Sequence, residues 1–471
     1  MDSSESPLRT GPAIDATGIF LLSVTILVFL VPLCIYFPPI PPSHRDALLE
    51  THTPIGVKAE AERRRRRRSK GKKDDVAAGS TNANGMALNG QAKPAAAATV
   101  RSLWIYPIKS CKGIEISQSR VLPTGLEHDR IYAFAQLRSP FPVGVDTPEK
   151  EKSAHRWEFI TQRQFPMLAT VQVELFIPDA VKARGRLGEV ASEPFLLVRF
   201  PWQEPGFRGA MSWVAAKLRG GLSAVPEKQF VLPVAFPSRS EIEKRGYEFE
   251  EVTVWRDTVM ALNMEKELPW ELKQYLGVSN RLGIFHIDPA RLRNVYRCAP
   301  TKQEAGYQPI TGFQDTYPLH LLNLSSVRDF DAKIPKDENF QVLDFRRFRA
   351  NIVVEGDTPY DEESWKKIRI SPKPGSTKRH EPATFHVSCR TVRCKMPNVD
   401  QDTGFRHAVE PDRSLRRLRE VDEGAKLKGC LGMQMTPLFD KTDRPHDLES
   451  WVEVGGEIEV LETGSHFYIT Q

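Results

Sequence analysis

"FHVSCRTVRCKMPNVDQDTG", Phe385 to Gly404, opens as a strand and closes in an acidic turn that ends on glycine. Between the two it sets Cys389 and Cys394 five positions apart, beside Arg390 and Arg393. The chain has only six cysteines in 471 residues, without regular spacing, so this is no disulfide framework and a reducing compartment is expected. A zinc half-site is one reading of the pair. It needs two more ligands at matching spacing, and only Cys111, Cys298 and Cys430 remain in the folded region. Cys389 also reads as a small buried hydrophobe, or as a thiol able to pair with Cys394 on oxidation.

The strand at Phe385 has many counterparts. "VRSLWIYPI", "RIYAFAQ", "TVQVELF", "FLLVRF" and "VTVWRDTVMAL" follow one another from Val100, rich in β-branched and aromatic residues. "LHLLNL", "NIVVEG" and "EIEVLE" repeat the pattern in the second half. "LPWELKQYL" reads as a short helix, and "SSVRDFDAKI" as a helix capped by serine. Short strands at irregular spacing with few helices predict a mainly β fold with some α, built as barrels and not as a βαβ sheet. Neither a Walker loop nor a dinucleotide-binding glycine fingerprint is present.

Charge separates the N-terminal part from the rest. Residues 1–99 carry 13 Lys and Arg against 9 Asp and Glu, and the remainder 53 against 51. The folded part is therefore nearly neutral, and a nucleic-acid partner is not expected. Ile19 to Phe37 contains no charge and spans about 28 Å as a helix, close to the roughly 30 Å core of a bilayer. A signal peptide is the competing reading, but Asp2, Glu5 and Asp15 precede the segment and "PPIPPS" follows it. The expectation is a short tail at 1–18, a transmembrane anchor at 19–37 and a disordered basic tether at 38–99. The run Arg63 to Arg68 then keeps the following domains cytosolic.

Several stretches place cations where an anionic ligand could be held. "YPIKSCKG" sets Lys109 and Ser110 beyond a strand, and "GLEHDR" ends on Arg130. "ITQRQFP" puts Arg163 among glutamines, and "DFRRFRANIVV" sets Arg349 and Asn351 before an apolar strand. Each alone is more often a salt bridge or a solvated side chain. In order along the chain, however, "LWIYPIKSCKG", "GLEHDR", "TQRQ", "FRANIVV" with "DEESW", the Cys394-x4-Val399-Asp400 spacing, "GMQ" and "VGGEIEVLE" resemble the MOSC-domain proteins. Within them the set is most similar to the mitochondrial amidoxime-reducing components.

That resemblance implies an N-terminal MOSC β-barrel domain, set at 100–266, and a MOSC domain at 288–465, with molybdenum cofactor (Mo-molybdopterin) between them. It makes Cys394, not Cys389, the catalytic molybdenum ligand, a role that suits a soft sulfur donor. It assigns Lys109, Ser110, Arg130, Arg349 and Arg393 to cofactor binding, with Asn351, Asp400 and Thr403 as supports. Gln401, Ala350 and Val392 depart from the family's usual proline, proline and serine. The implied activity is reduction of N-hydroxylated compounds (amidoximes, hydroxylamines, hydroxamic acids), with electrons from cytochrome b5 and its NADH-dependent reductase. The implied location is the mitochondrial outer membrane, with the endoplasmic reticulum as the alternative. A non-enzymatic cofactor carrier or a sulfur-handling MOSC protein is the other functional reading. The pyridoxal-phosphate domain of the cofactor sulfurases is not expected, because residues 1–99 are too few to hold it.

Overall fold

Ala383, Phe385 and Val387 are buried on one face of the strand Ala383–Val392 in the period-two pattern of a packed sheet, and a bulge after Val387 turns Cys389 into a separate cluster with Val295 and Tyr317. That strand pairs antiparallel with Cys430–Leu438 on one edge and with Trp365–Ser371 on the other. In the computed structural model, which describes residues 16–36, 43–61, 98–140, 144–152, 154–183, 193–373, 375, 381–439 and 448–469, these belong to an eight-stranded sheet. Its order is Ile352–Glu355, Leu319–Asn323, Cys430–Leu438, Ala383–Val392, Trp365–Ser371, Glu457–Thr463, Thr99–Ile105 and Ile114–Ile116. Ile352–Glu355 also pairs with Thr99–Ile105, so seven of the strands close into a ring and hide their edges.

A second, closed barrel runs Glu248–Val254, Asp257–Asn263, Leu282–Ile287, Tyr132–Arg138 and Arg156–Phe159. Five strands enclose little space, and Trp157, Phe159, Phe285 and Phe313 fill it with small Ala133, Ala135 and Ala261 between them. Gly283 is part of that fit: a Cβ there would stand 2.9 Å from the Phe285 ring and 3.1 Å from the Trp157 ring. The barrels revise the expected domain limits at both ends. Thr99–Ile105, placed by sequence in the first domain, is a strand of the larger barrel. Leu282–Ile287 lies beyond 266 yet completes the smaller one.

A four-stranded sheet of His52–Ile55, Gln172–Pro178, Phe195–Pro201 and Glu227–Pro233 flanks the barrels. Its first strand corrects the expected disordered tether. Residues 43–61 are ordered, beginning with the helix His44–Thr51, capped by Ser43 and Asp46. His52 is buried, its Nε2 lying 2.9 Å from the Glu193 carbonyl, and Arg45 pairs with Glu174 at 3.0 Å. The rest of the tether, 62–97, lies outside the described residues. A chain beginning at residue 98 is expected to melt about 3–8 °C below one beginning at Ser43, because it loses a strand that covers the Gln172–Pro178 edge. Calorimetry of the two chains checks this; equal melting temperatures would make the segment ornamental.

The expected transmembrane anchor at 19–37 falls on the helix Ala16–Tyr36, whose side chains are described over 17–29. Among the described residues no helix is long and apolar enough to cross a membrane. The helix after "LHLLNL" exists as Leu324–Ala332, but Asn323 caps it, accepting from the Ser325 N–H at 3.1 Å, in place of the expected serine. A further helix, Gly206–Gly220, had no counterpart in the sequence reading.

Candidate active site

The chain leaves the larger barrel at Ile105 and enters the smaller one at Tyr132, and the segment between them crosses the junction. Lys109 N–H bonds the Tyr132 carbonyl at 2.8 Å there, which fixes the loop to both barrels. A cavity opens at this junction, and Lys109, Ser110, Arg130, Arg349, Asn351, Arg393 and Cys394 all line it. They come from four separate stretches of sequence, brought together by strand closure.

Backbone strain marks the same place. Ser110, Arg130 and Arg349 hold φ of 67°, 51° and 54°, the left-handed region that costs a non-glycine residue of order 1 kcal/mol. Arg130 donates to Asp129, to Asn351 Oδ1 at 3.1 Å and to the Arg349 carbonyl at 3.1 Å. Asn351 therefore orients one arginine, and it also donates to the Trp104 carbonyl at 3.2 Å. Lys109 Nζ donates to the Phe313 carbonyl and to Asp315, each at 2.6 Å.

Among the described residues, the buried guanidiniums of Arg349 and Arg393 are left without a carboxylate. Arg349 Nη1 donates to the Cys111 carbonyl at 2.7 Å, while its buried Nη2 has no partner. Arg393 Nη2 donates to the Phe348 carbonyl at 2.8 Å. They are only 4% and 9% exposed, and burial pulls each down to about 10. Charges buried in this way are costly unless something anionic faces them. Such a cavity fits a negatively charged ligand with many acceptors, and the molybdenum cofactor with its phosphate is one. Cys394, half-buried on the same wall, is the soft donor of the set. Among the described residues no group of three or more His, Cys, Asp or Glu could hold a metal ion by itself. The cysteine would therefore act with donors supplied by the cofactor.

Burial pulls Lys109 down to about 8 against the attraction of Asp315. Its folded value lies below the 10.5 of the unfolded chain, so the unfolded state binds more protons from pH 8 to 10.5 and stability rises with pH there. Relative to Lys109→Met, cofactor-free protein is expected to gain stability across that window. Asp315 stays ionised throughout, so loss of its partner is a constant offset. A difference in melting temperature that does not move with pH would remove the buried ammonium from the account.

Asp400 and Thr403 are not among the lining residues. Asp400 accepts from the Thr403 N–H and hydroxyl, both at 2.9 Å, and pairs with Arg347 at 2.8 Å. They shape the turn after Cys394, with Gly404 at φ 72° closing it. Gln401, one of the departures from the family pattern, exchanges amide hydrogen bonds with Gln162 at 3.0 and 3.2 Å, and Gln162 in turn donates to the Ser110 carbonyl at 2.7 Å. Cys389 is fully buried with Val295 and Tyr317, and Cys298 packs against it. Its hydrogen bond with Cys298, and then burial, push its thiol well up. Cys389 is thus the small buried residue that one reading expected, and its neighbouring thiol is Cys298.

Sequence reading missed Asp315, Trp255 and His320. Trp255 donates to Asp315 at 3.1 Å and carries the Arg163 guanidinium on its ring at 4.2 Å. His320 lines the cavity from an apolar strand, with Nε2 buried and unpartnered; burial, Arg393 and Arg130 hold it well below its usual value and so neutral. Its only signal in sequence is one polar residue in "LHLLNL".

Two barrels meeting at a cationic cavity beside one cysteine define a class, and family comparison agrees. The chain matches the MOSC N-terminal beta barrel domain over residues 97–189 and the MOSC domain over 309–460, and it belongs to the MOSC-domain family. Mitochondrial amidoxime reducing component 2 of Rattus norvegicus is 24% identical over 350 residues, 72% of this chain and 77% of that protein. Mitochondrial amidoxime-reducing component 1 of Homo sapiens is 24% identical over 346 residues, with the same two coverages. Molybdenum cofactor sulfurase of Homo sapiens is 22% identical over 368 residues, 74% of this chain but 33% of that protein.

Proposed function

We propose that the protein is a molybdenum-cofactor oxidoreductase that reduces N-hydroxylated compounds, such as amidoximes, hydroxylamines and hydroxamic acids. The observation that carries this is the pair of buried, carboxylate-free guanidiniums, Arg349 and Arg393, facing one cavity with Cys394. Lys109, Ser110, Arg130, Arg349 and Arg393 hold the cofactor's anionic groups, Asn351 orients Arg130, and Cys394 ligates the metal. When bound, the cofactor supplies two-electron redox chemistry at the metal. Asp400, Thr403 and Arg347 keep the loop of Cys394 in place from behind.

The overall change breaks one N–O bond, takes up two electrons and two protons, and releases water. The electrons come from outside the chain: the sequence resemblance implies cytochrome b5 and its NADH-dependent reductase as donors, and the relatives' names suggest a mitochondrial association.

Metal and pterin analysis of purified protein, coupled to NADH-driven reduction of benzamidoxime, tests the proposal. Stoichiometric molybdenum and benzamidoxime-dependent NADH consumption are expected. Cofactor retained without reduction, under either the protein donors or a chemical reductant, would make the chain a carrier instead.

A further inference from the structure

Cys394 stands between two spaces. The inner one is the cavity at the barrel junction; the outer is an open basin whose walls include Arg163, Lys395, Arg406, His407 and Arg416. Among the described residues no carboxylate lines the outer basin. Its cations are set from different elements. Arg163 lies on the Trp255 ring, and Arg406 donates Nη1 to the Arg163 carbonyl at 2.6 Å. Arg416, on the helix Asp412–Leu418, is shared with Asp412 at 3.2 Å, and His407 lies 2.9 Å from Asp337. The Lys395 ammonium, on the residue next to Cys394, is exposed and has no ion pair among the described residues.

We propose that this basin is an anion subsite that selects N-hydroxylated substrates bearing a carboxylate or phosphate away from the N–O group. Lys395 and Arg406 are its specificity determinants. The inference rests on the N-reductase reading and names the substrate class for it. Because Cys394 and Arg163 border both spaces, a substrate whose N–O group reaches Cys394 through the basin leaves its other end among these cations. Cations lining one side of a concave mouth raise the local concentration of an anion and slow its escape. Mostly open to water, they contribute preference rather than tight binding.

The test uses purified holoenzyme with benzhydroxamic acid and its 4-carboxylate, each reduced under the NADH-coupled donors and under a chemical reductant. The product amides, benzamide and 4-carbamoylbenzoate, serve as binding probes by ligand line broadening. The carboxylate is expected to have about tenfold higher kcat/KM at low salt, a preference that shrinks at about 0.3 M NaCl. Lys395→Ala should cut the preference roughly fivefold and Lys395→Glu should reverse it. Equal kcat/KM for the two substrates, with no response to Lys395→Glu, overturns the proposal. So does a Lys395→Glu effect confined to the protein-driven assay and equal for both substrates, which would make the basin a docking face for the electron donor. If neither substrate is reduced but 4-carbamoylbenzoate still binds better than benzamide in a Lys395-dependent way, the anion subsite stands and the N-reductase reading falls.

Discussion

Cys394→Ser is expected to lower reduction of benzamidoxime by ~10³ or more, about 4 kcal/mol in the barrier, while most of the pterin stays bound. The two halves of that outcome come from different residues. Under the proposed function, retention would depend on Lys109, Arg130, Arg349 and Arg393, which the substitution does not touch. Activity would depend on a soft sulfur donor, and a serine hydroxyl is a harder and far less acidic one. Cys389→Ser is the control within the same stretch. That thiol is buried against Tyr317 and Val295 and bonded to Cys298, so the cost is about 1–2 kcal/mol of stability with activity kept. One coupled assay and one pterin measurement on both variants decide the matter. A dead Cys389→Ser beside an active Cys394→Ser would require the loop to be realigned and the site redrawn.

The same stretch illustrates what the sequence could and could not convey. Enrichment in β-branched and aromatic residues in Ala383–Val392, Gln172–Pro178 and Phe195–Pro201 is a local property, and each was readable as a strand. Partnership is not local. Nothing near Thr99 says that it pairs with Ile352–Glu355, some 250 residues on, and so belongs to the second barrel. His52–Ile55 was lost for a related reason: four residues between a proline-rich segment and an arginine run look like tether until Gln172–Pro178 offers an edge. Gly206–Gly220 was hidden by three glycines and a proline N-cap, poor helix signals in isolation.

The site divides along the same line. Lys109, Arg130, Arg349 and Cys394 stand in short motifs next to strand ends, where a polar residue is conspicuous. Asp315 and His320 gain their meaning only from what faces them across the junction. Asp400 stood out in sequence through its spacing from Cys394, and in the structure it accepts from the Thr403 N–H and hydroxyl of its own turn.

Arg349→Gln and Arg393→Gln are each expected to weaken cofactor retention about tenfold to a hundredfold, the roughly 1.5–3 kcal/mol of a charge-assisted contact. They are also expected to leave the melting temperature of cofactor-free protein unchanged or higher. The second expectation is what separates a binding role from a structural one. A structural arginine is tied to a carboxylate, as Arg390 is to Glu363 at 3.1 Å and Asp422 at 3.2 Å, and its removal strands a charge. Arg349 and Arg393 have no such tie. In the empty protein each keeps a desolvated charge satisfied only by a carbonyl and by an aromatic face, Tyr106 at 4.1 Å and Phe348 at 4.9 Å. Glutamine gives up the hydrogen bond to the Cys111 or Phe348 carbonyl, about 1 kcal/mol, and the relief of burying no charge offsets it. Calorimetry of cofactor-free variants and pterin retained through dialysis provide the two readings. Variants that melt several degrees lower yet hold pterin as the parent does would show that these arginines brace the junction and that the cofactor's anionic groups are held elsewhere.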